Sequence, residues 1–374
     1  LRAGIVPTPA VAFLARELGA DGGVVISASH NPAEYNGIKF FDRDGFKLPD
    51  EIEDEIEEFL VSERDWERPI GAGVGVAETI ADAAGRYIAH AVSTVPERLD
   101  GLRIAIDCGH GAAAVSTPAA FTALGAEVTS VNCDWDGTDI NRECGSTHLD
   151  VIAEMVRADG FHLGVAHDGD ADRVLAVDET GAEVDGDAIM AVCALDLRDR
   201  GALAGETVVA TVMSNLGFDV AMREGGINLI KTRVGDRYVL DQMRASGAVF
   251  GGEQSGHVIF LEHATTGDGL ITALQLAAVV HRSGKPLSEL TAVMTHYPQV
   301  LENVHVAHRE LLSSSAAVAE AVRAAEADLG DSGRVLVRAS GTEPLVRVMV
   351  EAADEAQARD VAAHLAEIVR VELG

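Results

Sequence analysis

The sequence predicts an α/β protein: three mixed-sheet α/β domains of similar topology, then a smaller carboxy-terminal α+β domain. Three observations lead there. Strand-like and helix-like patterns alternate through residues 1–297, and the order of elements recurs. The last stretch changes character, with two neighbouring strand patterns and one long helix pattern. At 374 residues, 47% hydrophobic and 24% charged, the chain is long enough for several domains with ample buried core. The expected boundaries are 1–81, 82–183, 184–297 and 298–374.

The first domain reads as a helix over 10–18, a strand over 23–26, a polar loop, a strand over 37–41 and a second helix. Pro49-Asp50 opens that helix, and Ile52, Ile56, Phe59 and Leu60 mark an apolar face at helical spacing. The chain starts at Leu1, just ahead of Pro7-Thr8-Pro9, and its first helix lacks a preceding strand to pack on. Further amino-terminal sequence is therefore expected, and without it an unpaired sheet edge and exposed apolar surface. Gly71-Ala72-Gly73-Val74-Gly75 has neither the spacing nor the feeding strand of a dinucleotide loop, so it reads as a linker.

The second domain opens with a half-buried strand over 102–106, a helix over 116–124 and a strand near Val128. Strands over 163–166 and 174–177 close it, with an acidic loop between them. The third begins with a helix at Gly186-Asp187 and a strand over 207–212, and ends in a long apolar helix over 268–281. The fourth has paired strands over 334–337 and 346–350 and a final helix over 354–371.

A net charge of −31 argues against a general nucleic-acid surface and against anionic membranes. Any site for an anion must then be a local concentration of cationic groups and backbone N–H. Cys108, Cys133, Cys144 and Cys193 contain no C-x-x-C pair and read as free thiols. No stretch reaches the ~18 apolar residues of a membrane span, and no signal-peptide pattern occurs, so a cytoplasmic location is expected.

Four loops carry candidate chemistry. Ile26-Ser27-Ala28-Ser29-His30-Asn31-Pro32 places a hydroxyl on a turn after a strand. A plain turn serine is the ordinary reading. A hydrolase nucleophile is disfavoured, because His30 diverges from its neighbour and no G-x-S-x-G elbow is present. A phosphoserine fits better, with His30 and Asn31 able to bond the loop or the phosphate. Lys39 on the next strand is either a charge and proton-transfer group or a snorkelling surface lysine. In Asp168-Gly169-Asp170-Ala171-Asp172-Arg173 the three carboxylates occupy alternate positions, like positions 1, 3 and 5 of an EF-hand, with Glu179 at position 12. Arg173 stands where that loop needs glycine, and the flanks are strands, so Mg²⁺ assisting phosphoryl transfer is the better reading. Gly252-Glu253-Gln254-Ser255-Gly256-His257 offers a carboxylate and a hydroxyl for sugar hydroxyls, with His257 either a proton shuttle or a structural histidine. Arg338-Ala339-Ser340-Gly341-Thr342-Glu343-Pro344, with Arg347, is either an anion nest or a hairpin with surface arginines.

In this order the four runs resemble the catalytic, metal, sugar and phosphate loops of the α-D-phosphohexomutases, over nearly the whole chain. The resemblance implies a central cleft, a phosphorylated Ser29, and Mg²⁺ held by Asp168, Asp170, Asp172 and that phosphoserine. It further implies sugar reading by Glu253 and Ser255, and capture of the non-reacting phosphate by Arg338, Ser340, Gly341, Thr342 and Arg347. Arg173 would steady the transferring group, with Lys39 or His257 handling protons. Gln254 resembles the bacterial phosphoglucosamine mutase branch, where mannose- and glucose-type members more often carry Met. So do the runs 141–148, 234–239 and 265–269. The chain departs from the family in lacking its amino-terminal Gly-Thr-Asp-Gly-(Ile/Val)-Arg-Gly motif.

The implied reaction interconverts glucosamine 6-phosphate and glucosamine 1-phosphate, a step toward amino-sugar nucleotides and cell-wall precursors. Glucosamine or glucose 1,6-bisphosphate would act as activator. The implied partner is a small sugar phosphate, with no nucleic acid and no membrane, and a homodimer is left open. A phosphomannomutase or phosphoglucomutase, or a non-catalytic sugar-phosphate binder, stays an alternative.

Overall fold

The computed structural model describes residues 1–62, 68–134, 136–340 and 343–374. It divides into two compact units, Leu1–Met213 with Gly225–Val293, and Ser214–Glu224 with Met294–Gly374.

The first unit contains three sheets. The narrowest pairs β1 (Gly22–Ser27) antiparallel to β2 (Gly37–Asp42), with Ile26 opposite Ile38. Side chains alternate across a strand. Val25 and Phe41 therefore point to one face and pack on Ala12 of the helix Thr8–Glu17, whereas Val24, Ile26 and Ile38 point to the other and stay exposed. Gly23 lets the helix come close, since a Cβ there would lie 2.9 Å from a Val11 methyl. Lys39 shares the inner face with Val25, its cross-strand partner.

The second sheet has the order β4-β3-β5-β6-β7. Its strands are β3 (Arg103–Asp107), β4 (Glu127–Val131), β5 (Leu163–His167), β6 (Val174–Asp178) and β7 (Glu183–Val184). The third runs β9-β8-β10-β11, from β8 (Thr207–Thr211), β9 (Asn228–Thr232), β10 (Phe250–Gly252) and β11 (Val258–Phe260). In both sheets the first strand lies parallel to the second and third, and the third pairs antiparallel with the fourth. The recurring element order thus corresponds to a recurring topology. The connection between the antiparallel pair carries Ser29 in the first sheet, the acidic loop in the second, and Glu253 in the third.

β3 and β5 are buried almost throughout, as parallel strands covered on both faces must be. The helix Gly269–Ser283 is mostly apolar and buried through Val280, and it starts at a cap in which the Asp268 carboxylate accepts the Ile271 N–H. No helix among the described residues is long and apolar enough to cross a membrane.

The second unit has a three-stranded antiparallel sheet, β12-β14-β13, from β12 (Gln299–His305), β13 (Arg334–Ala339) and β14 (Leu345–Glu351). Val335, Val346, Val348 and Val350 form its core with Ala358, Leu365 and Val369 of the helix Glu355–Leu373.

Most elements lie within two residues of expectation. The helices Ala83–Ser93, Asp150–Asp159, Leu216–Glu224, Asp236–Ser246, Leu287–Thr291 and Ala316–Leu329 and the strands β7, β9 and β12 are among the elements that add to the predicted set. The helix Asp50–Val61 forms as predicted, but its apolar stripe is not buried: Ile52 and Phe59 are 40% exposed and Leu60 70%. Charge ties this helix down instead, through ion pairs from Arg237 to Asp50 and Glu53.

Candidate active site

The β5–β6 hairpin ends in a loop whose carboxylates are almost wholly buried: Asp168 is 0%, Asp170 2% and Asp172 3% exposed. Ala171 has a positive φ of 54°, which turns the loop tightly enough for alternate side chains to converge. Their oxygens lie within 4.8 Å of one another, the one such cluster of potential metal ligands among the described residues. Glu179 lies elsewhere, accepting from Ser288, so the EF-hand reading has no twelfth ligand.

Ser29 faces this loop. Its hydroxyl donates to Asp168 Oδ2 at 3.3 Å. The residue has φ 53°, a left-handed conformation that costs a non-glycine residue roughly 1–2 kcal/mol. Contacts from the acidic half offset that cost. The Gly169 N–H and Asn141 Nδ2 both donate to the Ser29 carbonyl, at 3.1 and 2.7 Å. Asn141 also donates to the Asn31 carbonyl at 2.9 Å, and the Ser29 N–H donates to Ser27 Oγ.

Lys39 reaches from the inner face of β2 to donate to Asp170 Oδ2 at 2.6 Å and Asp172 Oδ2 at 2.7 Å. The snorkelling alternative is thereby excluded. Burial would lower the Lys39 pKa, but Asp172 and Asp170 outweigh it and hold the ammonium well above its ordinary range. Burial, reinforced by Asp172 and Asp170, pushes Asp168 well up. Asp172 goes the other way: against burial, Lys39, His257, Lys47 and Arg173 keep it ionised. Arg173 bonds Asp168 Oδ1 through its backbone N–H, and its Nε lies 3.9 Å from Asp172 Oδ1. His30 is exposed overall, yet partial burial, then Arg173, lowers its pKa.

These residues fit a divalent cation. Three hard carboxylates face one ammonium, and one of the three is driven toward protonation. The buried Oδ1 atoms of Asp170 and Asp172 have no hydrogen-bond partner among the described residues. An oxygen-only donor set suits magnesium.

The β10–β11 turn carries the next group. Ser255 is exposed, and Glu253 is partly buried with one carboxylate oxygen accepting the Gly235 N–H at 3.1 Å. Gln254 donates to Asp185 Oδ2 at 3.1 Å. His257 is buried, with neither ring nitrogen hydrogen-bonded among the described residues and Nε2 3.5 Å from Asp236, which also pairs with Lys47. Burial lowers its pKa although Asp236 and Asp172 pull upward.

In the second unit Arg338 and Arg347 stand opposite each other on β13 and β14. Like charges directly across a sheet repel, and burial followed by Arg347 lowers the Arg338 pKa. Arg347 finds partial relief from Glu343 at 3.1 Å. Ser340 is buried, its hydroxyl accepting the Glu343 N–H. The predicted Gly341 and Thr342 lie outside the described residues.

Sequence reasoning missed three supports. Thr8 donates to Asp170 Oδ2 at 2.6 Å, and its N–H donates to the Asp170 carbonyl. Its only local signal is a hydroxyl between two prolines. Asn141 sits in the run 141–148 but nothing nearby marks its side chain as a brace. Arg309 donates to the Ser340 and Glu343 carbonyls at 2.6 and 2.7 Å, from far outside the predicted loop.

Four sequence profiles of one family match in chain order. Phosphoglucomutase/phosphomannomutase alpha/beta/alpha domains I, II and III match residues 1–66, 85–181 and 185–297, and the C-terminal domain matches 301–368. The phosphoglucosamine mutase of Streptomyces griseus subsp. griseus is 56% identical over 377 residues, spanning all of this chain and 83% of the relative. That of Salinispora tropica is 54% identical, spanning 99% and 82%. Among solved structures, a phosphoglucomutase/phosphomannomutase family protein from Burkholderia thailandensis has a TM-score of 0.81 at 24% identity, covering 99% of this chain and 82% of that one. Aspergillus fumigatus N-acetylphosphoglucosamine mutase, solved with GlcNAc-6P and magnesium, has a TM-score of 0.68 at 22% identity, covering 97% and 92%. Those two likenesses are of fold; the sequence relatives carry the kinship. The chain belongs to the phosphoglucomutase/phosphomannomutase family, the phosphohexomutase isomerases, and within it to the phosphoglucosamine mutases.

Proposed function

We propose that the chain interconverts glucosamine 6-phosphate and glucosamine 1-phosphate through a phosphoserine at Ser29 and a 1,6-bisphosphate intermediate. The observation that carries this reading is the Ser29 hydroxyl, held 3.3 Å from Asp168 on a loop braced against a buried acidic triad with unpartnered oxygens. In the forward direction the sugar O1 attacks the phosphorus of phosphoserine, the P–Oγ bond breaks, and the O1 proton leaves to a nearby base. The bisphosphate turns over, Ser29 Oγ attacks the 6-phosphate, and O6 departs and takes up a proton.

The protein's part is mostly positioning and charge. Asp168, Asp170, Asp172 and the phosphoserine would hold magnesium, which supplies charge stabilisation for the transferring group. Lys39, kept cationic by its carboxylates, supports a role as charge or proton donor, and Arg173 would steady the phosphoryl oxygens. His30 and His257, both held toward the neutral form, are the groups able to accept a proton. Glu253 and Ser255 would read sugar hydroxyls. Arg338, Ser340 and Arg347, with Gly341 and Thr342, would hold the phosphate that does not react, their opposed guanidinium groups gaining most from an anion. A 1,6-bisphosphate activator and a cytoplasmic location belong to the same reading.

The test is turnover of glucosamine 6-phosphate with Mg²⁺ and a trace of 1,6-bisphosphate, wild type beside Ser29→Ala. Intact mass would report a serine phosphate. Turnover in wild type alone, with the phosphoryl mass on it, supports the reading. Binding without turnover or phosphate would replace it with a sugar-phosphate binder. Higher rates on mannose or glucose phosphates would move it to another branch of the family.

A further inference from the structure

Cys108 and Cys133 are 25 residues apart in sequence, yet their sulphurs lie 3.4 Å apart in hydrogen-bond contact. The fold enforces this approach. β3 and β4 are parallel neighbours with Asp107 opposite Val131; Cys108 follows β3 directly and Cys133 lies two residues past the end of β4. The Cys108 N–H donates to the Val131 carbonyl at 3.1 Å and the His110 N–H to the Asn132 carbonyl at 2.8 Å, so the two backbones stay laddered past the sheet. A disulfide brings the sulphurs to about 2.05 Å.

We propose that Cys108 and Cys133 are a redox modification site, a thiol pair that a hydroperoxide closes to a disulfide. The division of labour follows from exposure. Cys133 is half-buried and reachable, whereas Cys108 is wholly buried behind it. The hydrogen bond with Cys108, opposed by burial and aided by Ser130, lowers the Cys133 thiol to about 6, and the same bond with burial raises Cys108. Cys133, the reachable sulphur, is therefore the one that meets the oxidant, and Cys108 is the resolving thiol. In the first step the Cys133 sulphur attacks a peroxide oxygen. An S–O bond forms, the O–O bond breaks, and water (or an alcohol) leaves with the thiol proton. In the second, Cys108 attacks the sulphenic sulphur, the S–S bond forms, and hydroxide departs as water with the Cys108 proton. The sulphurs lose two electrons and the peroxide gains them.

The pair adjoins the catalytic half of the molecule. Gly109, next to Cys108, accepts the Asn141 N–H on its carbonyl, and Asn141 in turn holds the Ser29 carbonyl.

The experiment treats the folded chain with hydrogen peroxide, then alkylates it in denaturant for mass spectrometry. The expected result is a loss of about 2 Da, two of the four thiols protected, and a peptide linking Cys108 to Cys133. Cys133→Ser removes that loss, and Cys108→Ser leaves a sulphenic acid on Cys133 that dimedone traps. Linkage through Cys144 or Cys193, a sulphinic Cys133 with no crosslink, or four unreacted thiols would each overturn the proposal. The half-buried Cys133→Ser keeps the test valid should Cys108→Ser fail to fold.

Discussion

Over the residues of this chain, the serine half and the acidic half of the candidate site differ in burial. Ser29 leaves a two-stranded sheet whose outer face, with Val24 56% and Ile26 72% exposed, meets solvent. The triad leaves a five-stranded sheet whose central strands are buried throughout. The carboxylates are therefore positioned by close packing, which tolerates little displacement. Ser29 is positioned by hydrogen bonds donated from the other half, through Asn141 and Gly169.

Substitutions can break or sharpen that contrast. The largest effect is expected for Ser29→Ala, which should reduce turnover to background while leaving the melting temperature nearly unchanged; any remaining phosphate on the protein would point to another nucleophile. Asp170→Asn removes charge from the packed half and should lower turnover about 10²–10³-fold and weaken Mg²⁺ binding, as titration would show. Unchanged Mg²⁺ affinity would place the ion elsewhere. Asn141→Ala tests the brace, and a loss of about 10²-fold in kcat is expected from a misplaced Ser29, with KM little altered. If kcat holds, Ser29 needs no external pin and the contrast fails.

The buried half should also have its own pH signature. Asp268, beside the Tyr87 hydroxyl at 2.8 Å, has its pKa raised by burial to about 6. Between the ordinary carboxylate value and about 6 the folded chain binds the extra proton, so stability falls as pH rises through that window and then levels off. Asp268→Asn, which preserves the helix cap, should flatten this slope by on the order of 2 kcal/mol in denaturation at pH 4 and 7. An unchanged slope would show that burial is not what shifts Asp268. The smallest effects separate the two sheets directly. Ile106→Val, wholly buried in β3, should cost about 0.5–1.5 kcal/mol, and Ile26→Val, on the exposed face, nothing measurable. Equal costs would mean that the outer face of the first sheet is covered in solution.

Much of this was legible along the chain. Strand and helix periodicity located the strands and helices that flank the candidate loops, and spacing placed Ser29 and the triad on loops between strands and the opposed arginines at the margins of a third. The recurring order β4-β3-β5-β6 and β9-β8-β10-β11 was only dimly visible, because topology is kept by burial pattern and not by particular residues. The apolar stripe of the helix Asp50–Val61 misled, since periodicity shows which face a helix could bury and not whether a neighbour arrives to cover it.

The sequence by itself determined the local material: element types, the convergent carboxylates within one six-residue loop, a serine on a turn, and the family to which these motifs belong. Only the tertiary structure decided which groups meet. Thr8 reaches Asp170 across 162 residues, Lys39 reaches Asp172 across 133, Asn141 reaches Ser29 across 112, and Cys108 meets Cys133 beyond two parallel strands. Residue type and spacing are read from chain neighbours. A partner that far along the chain is chosen by how sheets and helices bury their apolar faces, and no short window of sequence contains that choice.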